Sequence, residues 1–451
     1  MDLTKDPIPG LTRKIAVPVT VGLLFDSMYG IVDTFFAGKL STEALAALSI
    51  SSPAFFFFIT TTAGISNGAN VLISNALGRK NTDEAKATCL QSISFAVTMA
   101  LFLVMLAYLS APALLKTLGA TGEYLDMSLE YFNVMLIGLV FTILTNVFFA
   151  ALRAQGETKS YRNMLVLGCL LNCMLNPLFM FGGFGIPAMG VTGLALSTST
   201  INLLSAIYLF HRLRRSEMWG GTFQMIPRPD KTWWRIAKQG LPASFNMISM
   251  AFAWYIATLF VGKFSNAGVA AYGIAIRIET FFMIPSWALA TAFVSMVGQN
   301  HGASNGRRIM ECLKYTTRIN FLGAIAGGII LFVAAEPLMR LFSQDEQVIP
   351  HGANYLRVAA IVLMARVVHV TMVSLLQGLK RPVGIAWVAV FRHIIGPCVL
   401  GYLMAFTLGM EVDGVWWSWC IVAWTSAVIL FLFAMHVFKQ MYAEAFEPKK
   451  P

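Results

Sequence analysis

The sequence predicts an all-α polytopic membrane protein with twelve transmembrane helices, arranged as two parallel six-helix repeats, the N-lobe and the C-lobe, around a central cleft. Composition predicts the class, because 57% of the 451 residues are hydrophobic and only 12% are charged, whereas soluble domains carry about 25% charged residues. Apolar runs long enough to cross a bilayer recur along the whole chain. The third observation is an internal repeat, which predicts the two-lobe arrangement.

Hydropathy predicts twelve spans, six on each side of a basic linker. The predicted spans are residues 15–38, 44–77, 87–118, 127–152, 161–182, 188–212, 236–262, 267–300, 308–335, 347–378, 383–409 and 412–438. We therefore predict an N-lobe at 1–212, a cytoplasmic linker at 213–235 and a C-lobe at 236–451. Six spans is an even number, so both lobes start on the same side and form a parallel repeat.

One constant offset relates distant segments of the two halves. The segment TFFAGKLSTEALAALSI starts at Thr34 and returns as TLFVGKFSNAGVAAYGI, which starts at Thr258. The same offset separates Gly78 from Gly302. The chain is therefore a tandem duplication.

Basic residues indicate the orientation of the chain. About 25 of the 33 Lys and Arg lie in alternate loops and at the termini, which predicts that both termini and the central linker are cytoplasmic. The net charge of +11 therefore does not indicate a nucleic-acid partner. The six cysteines form no CxxC pair, so neither a metal site nor a disulfide framework is predicted. We expect no cleaved signal peptide.

Two acids interrupt the first predicted span. Asp26 and Asp33 are seven residues apart and share one helix face. A carboxylate at bilayer depth costs about 2.5–3.5 kcal/mol unless it faces protein, water or an ion. The equivalent positions of the second half hold Met250 and Ala257, so the fold does not need these acids twice. This asymmetry indicates a function, although a satisfied helix-end acid is the alternative, above all for Asp26.

Several motifs together resemble one known family. They are VDTFFAGKLSTEALAALSI, NALGRKN, ALRAQGETK, NPLFMFGGFGIPAMGVTGLALST, GQNHGA and LLQGLKRP. The sequence resembles the MATE (multidrug and toxic compound extrusion) family, closest to its DinF-like branch. The resemblance implies efflux of small organic, cationic or zwitterionic compounds by alternating-access antiport, driven by H⁺ or Na⁺. It also implies a monomeric, multi-pass protein of the bacterial inner membrane that is not an enzyme and needs no cofactor beyond the coupling ion.

The resemblance also implies roles for particular residues. Asp33, in the VD motif, would be the cation-binding carboxylate of the N-lobe, with Asn146 and Asn172 near it. Pro18 would bend the first helix. Some relatives have an acid where this chain has Asn176, so a mechanism with two carboxylates is in doubt. Asn172 and Asn176 share a helix face, and they either line the pocket or form helix–helix hydrogen bonds.

The residues themselves allow two coupling ions. A carboxyl group in a dry pocket can bind a proton, because desolvation penalises its charged form. Carboxylate and amide oxygens can instead hold Na⁺, because hard cations prefer oxygen ligands. A single carboxylate surrounded by amides favours H⁺.

The C-lobe contains charged residues of its own. Glu279 is expected to pair with Arg366 or Arg392 in an internal salt bridge. The alternative is a second titratable site coupled to the transported molecule, and a basic C-lobe would also accept an anionic or zwitterionic one. The candidate titratable cluster comprises Asp26, Glu279, Arg366 and His369.

Aromatic and methionine side chains are candidates for an adaptable apolar cleft, although membrane aromatics are more often packing or interfacial residues. The candidates are Met28, Tyr29, Trp254, Tyr255, Met283 and Trp287.

There are two alternatives to an exporter. A lipid-linked precursor flippase of the same wider superfamily is the main alternative. A membrane enzyme would need His and acidic residues at metal-ligand spacing, which His369 and His393 do not supply. The sequence has no GxxxxGK[ST] motif, so ATP is not the expected energy source.

Overall fold

The computed structural model describes residues 1–117, 119–219 and 229–446. Its helices are α1 (Ile8–Leu40), α2 (Thr42–Gly78), α3 (Thr82–Thr117), α4 (Glu123–Ala154), α5 (Lys159–Phe181), α6 (Gly190–Arg214), α7 (Lys231–Gly262), α8 (Asn266–Gly302), α9 (Gly306–Val333), α10 (Ala335–Arg340), α11 (Val348–Gly378), α12 (Val383–Val390), α13 (Gly396–Tyr402) and α14 (Glu411–Met441). Two π-helical segments, Phe391–Ile395 and Leu403–Thr407, join α12, α13 and the following turn into one span. A 3₁₀ turn follows at Ala443–Phe446.

The prediction of an all-helical protein with twelve spans is confirmed. Within the described ranges, twelve helices are long and apolar enough to cross a membrane. The first of them, α1, begins seven residues before the predicted span and continues through Pro18 as one helix. Part of the predicted linker, residues 220–228, lies outside the described residues.

The duplication is visible in the local structure of the two halves. Ser41 caps α2, and its Oγ accepts a hydrogen bond of 3.0 Å from the backbone N–H of Ala44. Ser265, its equivalent in the second repeat, caps α8 by accepting one of 2.9 Å from Gly268. Such caps satisfy backbone donors that the helix leaves free. The repeated sequence therefore encodes repeated helix boundaries.

The N-terminal unit comprises Pro18–Ser244. Its central helix is α4, which packs against α2, α3 and α6. Phe55, Phe58 and Phe132 lie in its hydrophobic core. The first turns of α7 belong to this unit because α7 and α2 approach each other closely at Gly240 and Gly64, where neither helix has room for a side chain.

The C-terminal unit comprises Met1–Val17 together with Phe245–Pro451. Its central helix is α11, the repeat equivalent of α4, which packs against α8, α9 and α14. The N-terminal residues belong here because Leu3 is fully buried and its carbonyl accepts a hydrogen bond of 3.1 Å from Asn300 Nδ2. The units follow packing, so their bounds differ from the predicted lobes at residues 1–17 and 236–244.

Candidate functional site

Three side chains of the N-terminal unit form an amide–carboxylate cluster, which consists of Asp33, Asn172 and Asn176. Asn172 Nδ2 donates a hydrogen bond of 2.8 Å to Asp33 Oδ1, and Asn176 Nδ2 donates one of 2.9 Å to the same oxygen. Both asparagines are 0% exposed, whereas Asp33 is half-buried. Two donors thus converge on one carboxylate oxygen, which stabilises its negative charge.

The two asparagines also bond to each other. Asn172 Nδ2 lies 3.3 Å from Asn176 Oδ1, and Asn176 Nδ2 lies 3.2 Å from Asn172 Oδ1. This pairing is possible because the residues are one helical turn apart on α5. Each amide oxygen therefore accepts from the neighbouring amide, and each amide nitrogen donates both to that neighbour and to Asp33.

Local sequence places α1 beside α5. A Cβ atom on Gly22 would lie 2.9 Å from Leu165 Cδ1, so glycine permits the close approach of α1 to α5. Pro177 follows Asn176 inside α5, and a proline removes one hydrogen bond of the helical backbone. The carboxylate and its two donors thus meet where α5 is locally weakened.

Tyr29 lies one helical turn before Asp33 and contacts a third helix. Its hydroxyl donates a hydrogen bond of 3.1 Å to Thr198 Oγ1 on α6. The cluster is therefore bordered by α1, α5 and α6. Tyr29 was a predicted cleft residue and Thr198 was not, because no sequence signal distinguishes this threonine from the others of α6.

Asn146 and Asp26 make no hydrogen bond to the cluster among the described residues. Asn146 Nδ2 donates a hydrogen bond of 3.3 Å to Thr62, and its backbone oxygen accepts one of 2.8 Å from Ser66, so Asn146 is bound to α2. Asp26 is exposed and accepts no hydrogen bond from the described residues. Of the four predicted coupling residues, the structure brings three together.

The C-terminal unit places Glu279 in a buried ion pair. Its Oε1 lies 2.7 Å from Arg366 Nη1, and its Oε2 accepts a hydrogen bond of 2.7 Å from Tyr355. Glu279 is therefore in an internal salt bridge, which was one of the two expectations for this residue. Its partner is Arg366 and not Arg392. Tyr355 was not identified from sequence, although it lies eleven residues before Arg366, about three turns, and hence on the same face of α11.

Three more polar side chains of this unit lie within electrostatic range of Arg366. Arg392 Nη1 donates to Ser426 Oγ at 2.7 Å and to the backbone oxygen of Ala423 at 3.3 Å. His369 is buried, and both of its ring nitrogens lack a hydrogen-bond partner among the described residues. Arg366 and Arg392 both act electrostatically on His369 and on His393. We call Glu279, Arg366, His369, Arg392 and His393 the basic centre.

The candidate cleft residues differ in their exposure. Met28, Tyr255 and Trp287 are exposed, whereas Tyr29 and Trp254 are half-buried. Met283 lies in the hydrophobic core of the C-terminal unit, so it does not line an open surface. A helical face that is apolar and aromatic in sequence can face either lipid or core, and only packing separates the two.

The His, Cys, Asp and Glu side chains are dispersed in the described part of the chain. Among the residues described, no group of three or more His, Cys, Asp or Glu is placed to hold a metal ion. The cluster at Asp33 contains a single carboxylate, and its two amide groups direct N–H towards it.

Comparison with known proteins gives the family. The MatE family model matches twice, at residues 18–178 and 242–403, and the starts of the two matches are separated by the same offset as Thr34 and Thr258. A relative from Thermotoga maritima, named "Probable multidrug resistance protein NorM", is 27% identical over 353 residues, which cover 77% of this chain and 75% of the relative. A "FAD transporter" from Shewanella oneidensis is 25% identical over 417 residues, 92% of this chain and 90% of the relative.

The fold has a close counterpart among solved structures. A MOP superfamily transporter from Pyrococcus furiosus superposes with a TM-score of 0.90 over 97% of both chains, at 22% sequence identity. The relatives and this structural neighbour are transporters and not enzymes. The family match covers well over half of the chain and both of its repeats, and the protein is therefore a member of the MatE family.

Proposed function

We propose that this protein is a secondary active exporter of small organic molecules, in which Asp33 binds H⁺ and couples its inward movement to efflux by alternating access. The observation that carries the proposal is the convergence of Asn172 and Asn176 on Asp33 Oδ1. The acid occurs in one repeat only, since Ala257 stands at the equivalent position. The names of the relatives, a multidrug resistance protein and an FAD transporter, support export of organic molecules.

The geometry of the cluster supports a proton as the coupling ion. Both amide donors engage Oδ1, while Oδ2 accepts no hydrogen bond from the described residues and is free to receive a proton. A sodium ion would need several oxygen ligands. The oxygens of Asn172 and Asn176 accept hydrogen bonds from each other instead.

One coupling charge supplies a useful driving force. Moving one elementary charge through 100 mV is worth about 2.3 kcal/mol, which supports about a 50-fold gradient of an electroneutral transported molecule. A monocationic molecule exchanged for one proton carries no net charge across the membrane, so only the pH gradient would drive it.

The test is ethidium transport in inverted membrane vesicles with a pH gradient or a Na⁺ gradient imposed separately. We expect the pH gradient alone to drive transport by the wild type, and Asp33→Asn to abolish it. The matched control is Asp26→Asn, which removes the same group from the same helix face, two turns away, and should retain transport.

Four outcomes would contradict parts of the proposal. Transport driven only by Na⁺ would show that Na⁺ and not H⁺ is the coupling ion. Full transport by Asp33→Asn would show that Asp33 is not the coupling residue. Equal loss in Asp26→Asn and Asp33→Asn would remove the special role of the amide–carboxylate cluster. No transport by a folded wild type would favour the lipid-linked precursor flippase.

A further inference from the structure

We propose that the basic centre of the C-terminal unit binds the anionic group, a phosphate or a carboxylate, of an organic molecule that the protein exports. The proposal rests on the proposed function, because it assigns a chemical class to the exported molecule. It concerns side chains that the coupling cluster does not use, and all of them lie in the C-terminal unit.

The charges of the basic centre do not balance. Arg366 and Arg392 supply two positive charges, and Glu279 supplies one negative charge that Arg366 already neutralises. The partners of Arg392 are Ser426 and the carbonyl of Ala423, both uncharged. A cation inside a membrane span is costly unless it is paired, so an anion that binds beside Arg392 would be stabilised strongly.

The helices around Arg392 offer no other carboxylate at its depth. Glu279 is the only acid in α8, and neither α11 nor the span Val383–Thr407 contains one. In α14 the acids are Glu411 and Asp413, in the first turn of the helix, and Asp413 accepts a hydrogen bond from Asn354. The missing counter-ion must therefore come from outside these helices.

Two buried donors that have no partner in the described part of the chain lie next to Tyr355, which bonds to Glu279. Tyr272 packs against Tyr355 and Trp416, with ring centroids 5.3 and 5.2 Å away, and Tyr355 in turn bonds to Glu279. The Trp416 Nε1–H and the Tyr272 hydroxyl, both buried, have no hydrogen-bond partner among the described residues. Buried polar groups are nearly always satisfied, and an exception calls for a missing ligand or water. Donors are the groups that an anion satisfies.

The basic centre is also partly accessible to a ligand, because three of its side chains are not fully buried. The Arg366 side chain is 22% exposed, and Arg392 and His393 are half-buried. Both of the latter lie in the π-helical segment Phe391–Ile395, where the N–H of Gly396 bonds to the carbonyl of Phe391 five residues earlier. Pro397 follows directly, and a proline disturbs the hydrogen bonds of the preceding turn. Such π-helical turns often occur at functional sites.

The first repeat shows that the fold does not require these charges. The equivalents of Arg366 and His369 are Thr142 and Thr145, and those of Arg392 and His393 are Gly168 and Cys169. All four basic side chains therefore occur in the second repeat only. Residues with a purely structural role would more often be present in both repeats.

The test compares two probes with the same ring system, flavin mononucleotide and riboflavin, which differ by one phosphate group. Binding to the full-length protein in neutral detergent is followed by flavin fluorescence, without any ion gradient. A charged hydrogen-bonded pair contributes about tenfold to a hundredfold in affinity, so we expect the wild type to bind flavin mononucleotide at least tenfold more tightly.

Variants locate the preference. Arg392→Gln keeps a hydrogen-bonding side chain for Ser426 and should remove most of the preference for the phosphate, with riboflavin affinity unchanged, while Arg392→Lys should retain part of it. The matched control is Arg277→Gln on α8, which removes an exposed arginine outside the basic centre and should leave the preference intact. Asp33→Asn should also retain the preference, because equilibrium binding needs no coupling, and this separates the present proposal from the proposed function.

Equal affinities for the two probes, or no binding of flavin mononucleotide, would overturn the proposal. The same conclusion would follow if a folded Arg392→Gln kept the full preference. If that variant does not fold, the wild-type ratio of the two affinities decides by itself. Competition by inorganic phosphate would support the proposal, whereas displacement by phosphatidylglycerol alone would assign the basic centre to a lipid headgroup and overturn it.

Discussion

Phe55 and Glu279 occupy equivalent positions in the two repeats and make opposite kinds of contact. Phe55 is buried and packs its ring edge-to-face against Phe132, with centroids 6.3 Å apart. Glu279 is 1% exposed and pairs with Arg366 at 2.7 Å. The same position of the fold thus holds an apolar contact in one repeat and a buried ion pair in the other.

Asp33 and Ala257 form the reverse pair. Asp33 receives two amide hydrogen bonds in the N-terminal unit, whereas Ala257 is fully buried in the core of the C-terminal unit. The two repeats share one helical scaffold but carry different charged sites. The site is acidic in the first copy and basic on balance in the second.

We first predict that Asn172, Asn176 and Asp33 act as one unit in transport. Asn172→Ala and Asn176→Ala should each lower pH-gradient-driven efflux about tenfold, because each removes a hydrogen bond to a charged group worth about 1.5–3 kcal/mol. The double variant Asn172→Ala/Asn176→Ala should lose less than the product of the two single effects, because both amides bond to the same oxygen of Asp33. Efflux rates of the four proteins, the wild type and three variants, provide the double-mutant cycle.

The control for this prediction is Asn163→Ala, also on α5. Asn163 accepts hydrogen bonds from the neighbouring Arg162 and not from Asp33, so the variant should keep efflux near the wild-type rate. Additive effects of Asn172→Ala and Asn176→Ala would show that the two asparagines act independently of each other and would contradict the prediction.

Our second prediction is that removal of one partner of the buried ion pair is costly. Arg366→Met leaves Glu279 buried without its counter-ion, which we expect to lower the free energy of unfolding by about 3 kcal/mol. This is the lower end of the range for buried pairs, because the Arg366 side chain is 22% exposed. Removing both charges in Arg366→Met/Glu279→Leu should restore most of the loss. Thermal unfolding in detergent measures both effects.

The control is an exposed ion pair whose arginine lies on the same helix as Arg366. Arg357 on α11 pairs with Glu336 at 2.9 Å, but the two side chains are 41% and 50% exposed. Exposed pairs contribute about 0–1 kcal/mol, so Arg357→Met should change the midpoint of unfolding little. If Arg366→Met lowered the free energy of unfolding as little as Arg357→Met, burial of the ion pair would not explain its contribution to stability.

The third prediction concerns the close approach of α7 and α2. A Cβ atom on Gly240 would lie 2.7 Å from the carbonyl carbon of Gly64, so Gly240→Ala should force the helices apart and destabilise the protein by about 1–3 kcal/mol. The measurement is again thermal unfolding. Gly273→Ala on α8 is the control, because no atom lies within 4 Å of its added Cβ and alanine favours the helix by up to about 1 kcal/mol. If Gly240→Ala stabilised the protein as Gly273→Ala does, the close contact between α7 and α2 at Gly240 would be contradicted.

Much of the fold was predictable because its signals are local. Span length, low charge and the constant offset between the repeats each depend on residues close in sequence or on comparison of two copies. Asp33 could be selected as a candidate for the same reasons, because an acid in an apolar helix is rare and Ala257 shows that the scaffold tolerates its absence. The spacing of Asn172 and Asn176 likewise predicted that they share a helix face, whether that face lines a pocket or forms helix–helix hydrogen bonds.

Contacts between distant helices were predicted less well. Asn146 was expected near Asp33 but bonds to Thr62 on α2, and Met283 was expected at a cleft but lies in a core. Thr198 and Tyr355, which bond to Tyr29 and to Glu279, were not identified. In each case the answer depends on how two helices are rotated against each other, and hydropathy does not encode that rotation.

The sequence by itself therefore determined the class, the twelve spans, the duplication and the acid that only one repeat carries. Only the tertiary structure decided that two amide groups converge on one oxygen of Asp33, that Arg366 rather than Arg392 neutralises Glu279, and that Arg392 is left without a carboxylate. The physical reason is that hydrogen bonds and ion pairs act over about 3 Å, so they depend on the side-chain positions that packing of the helices fixes.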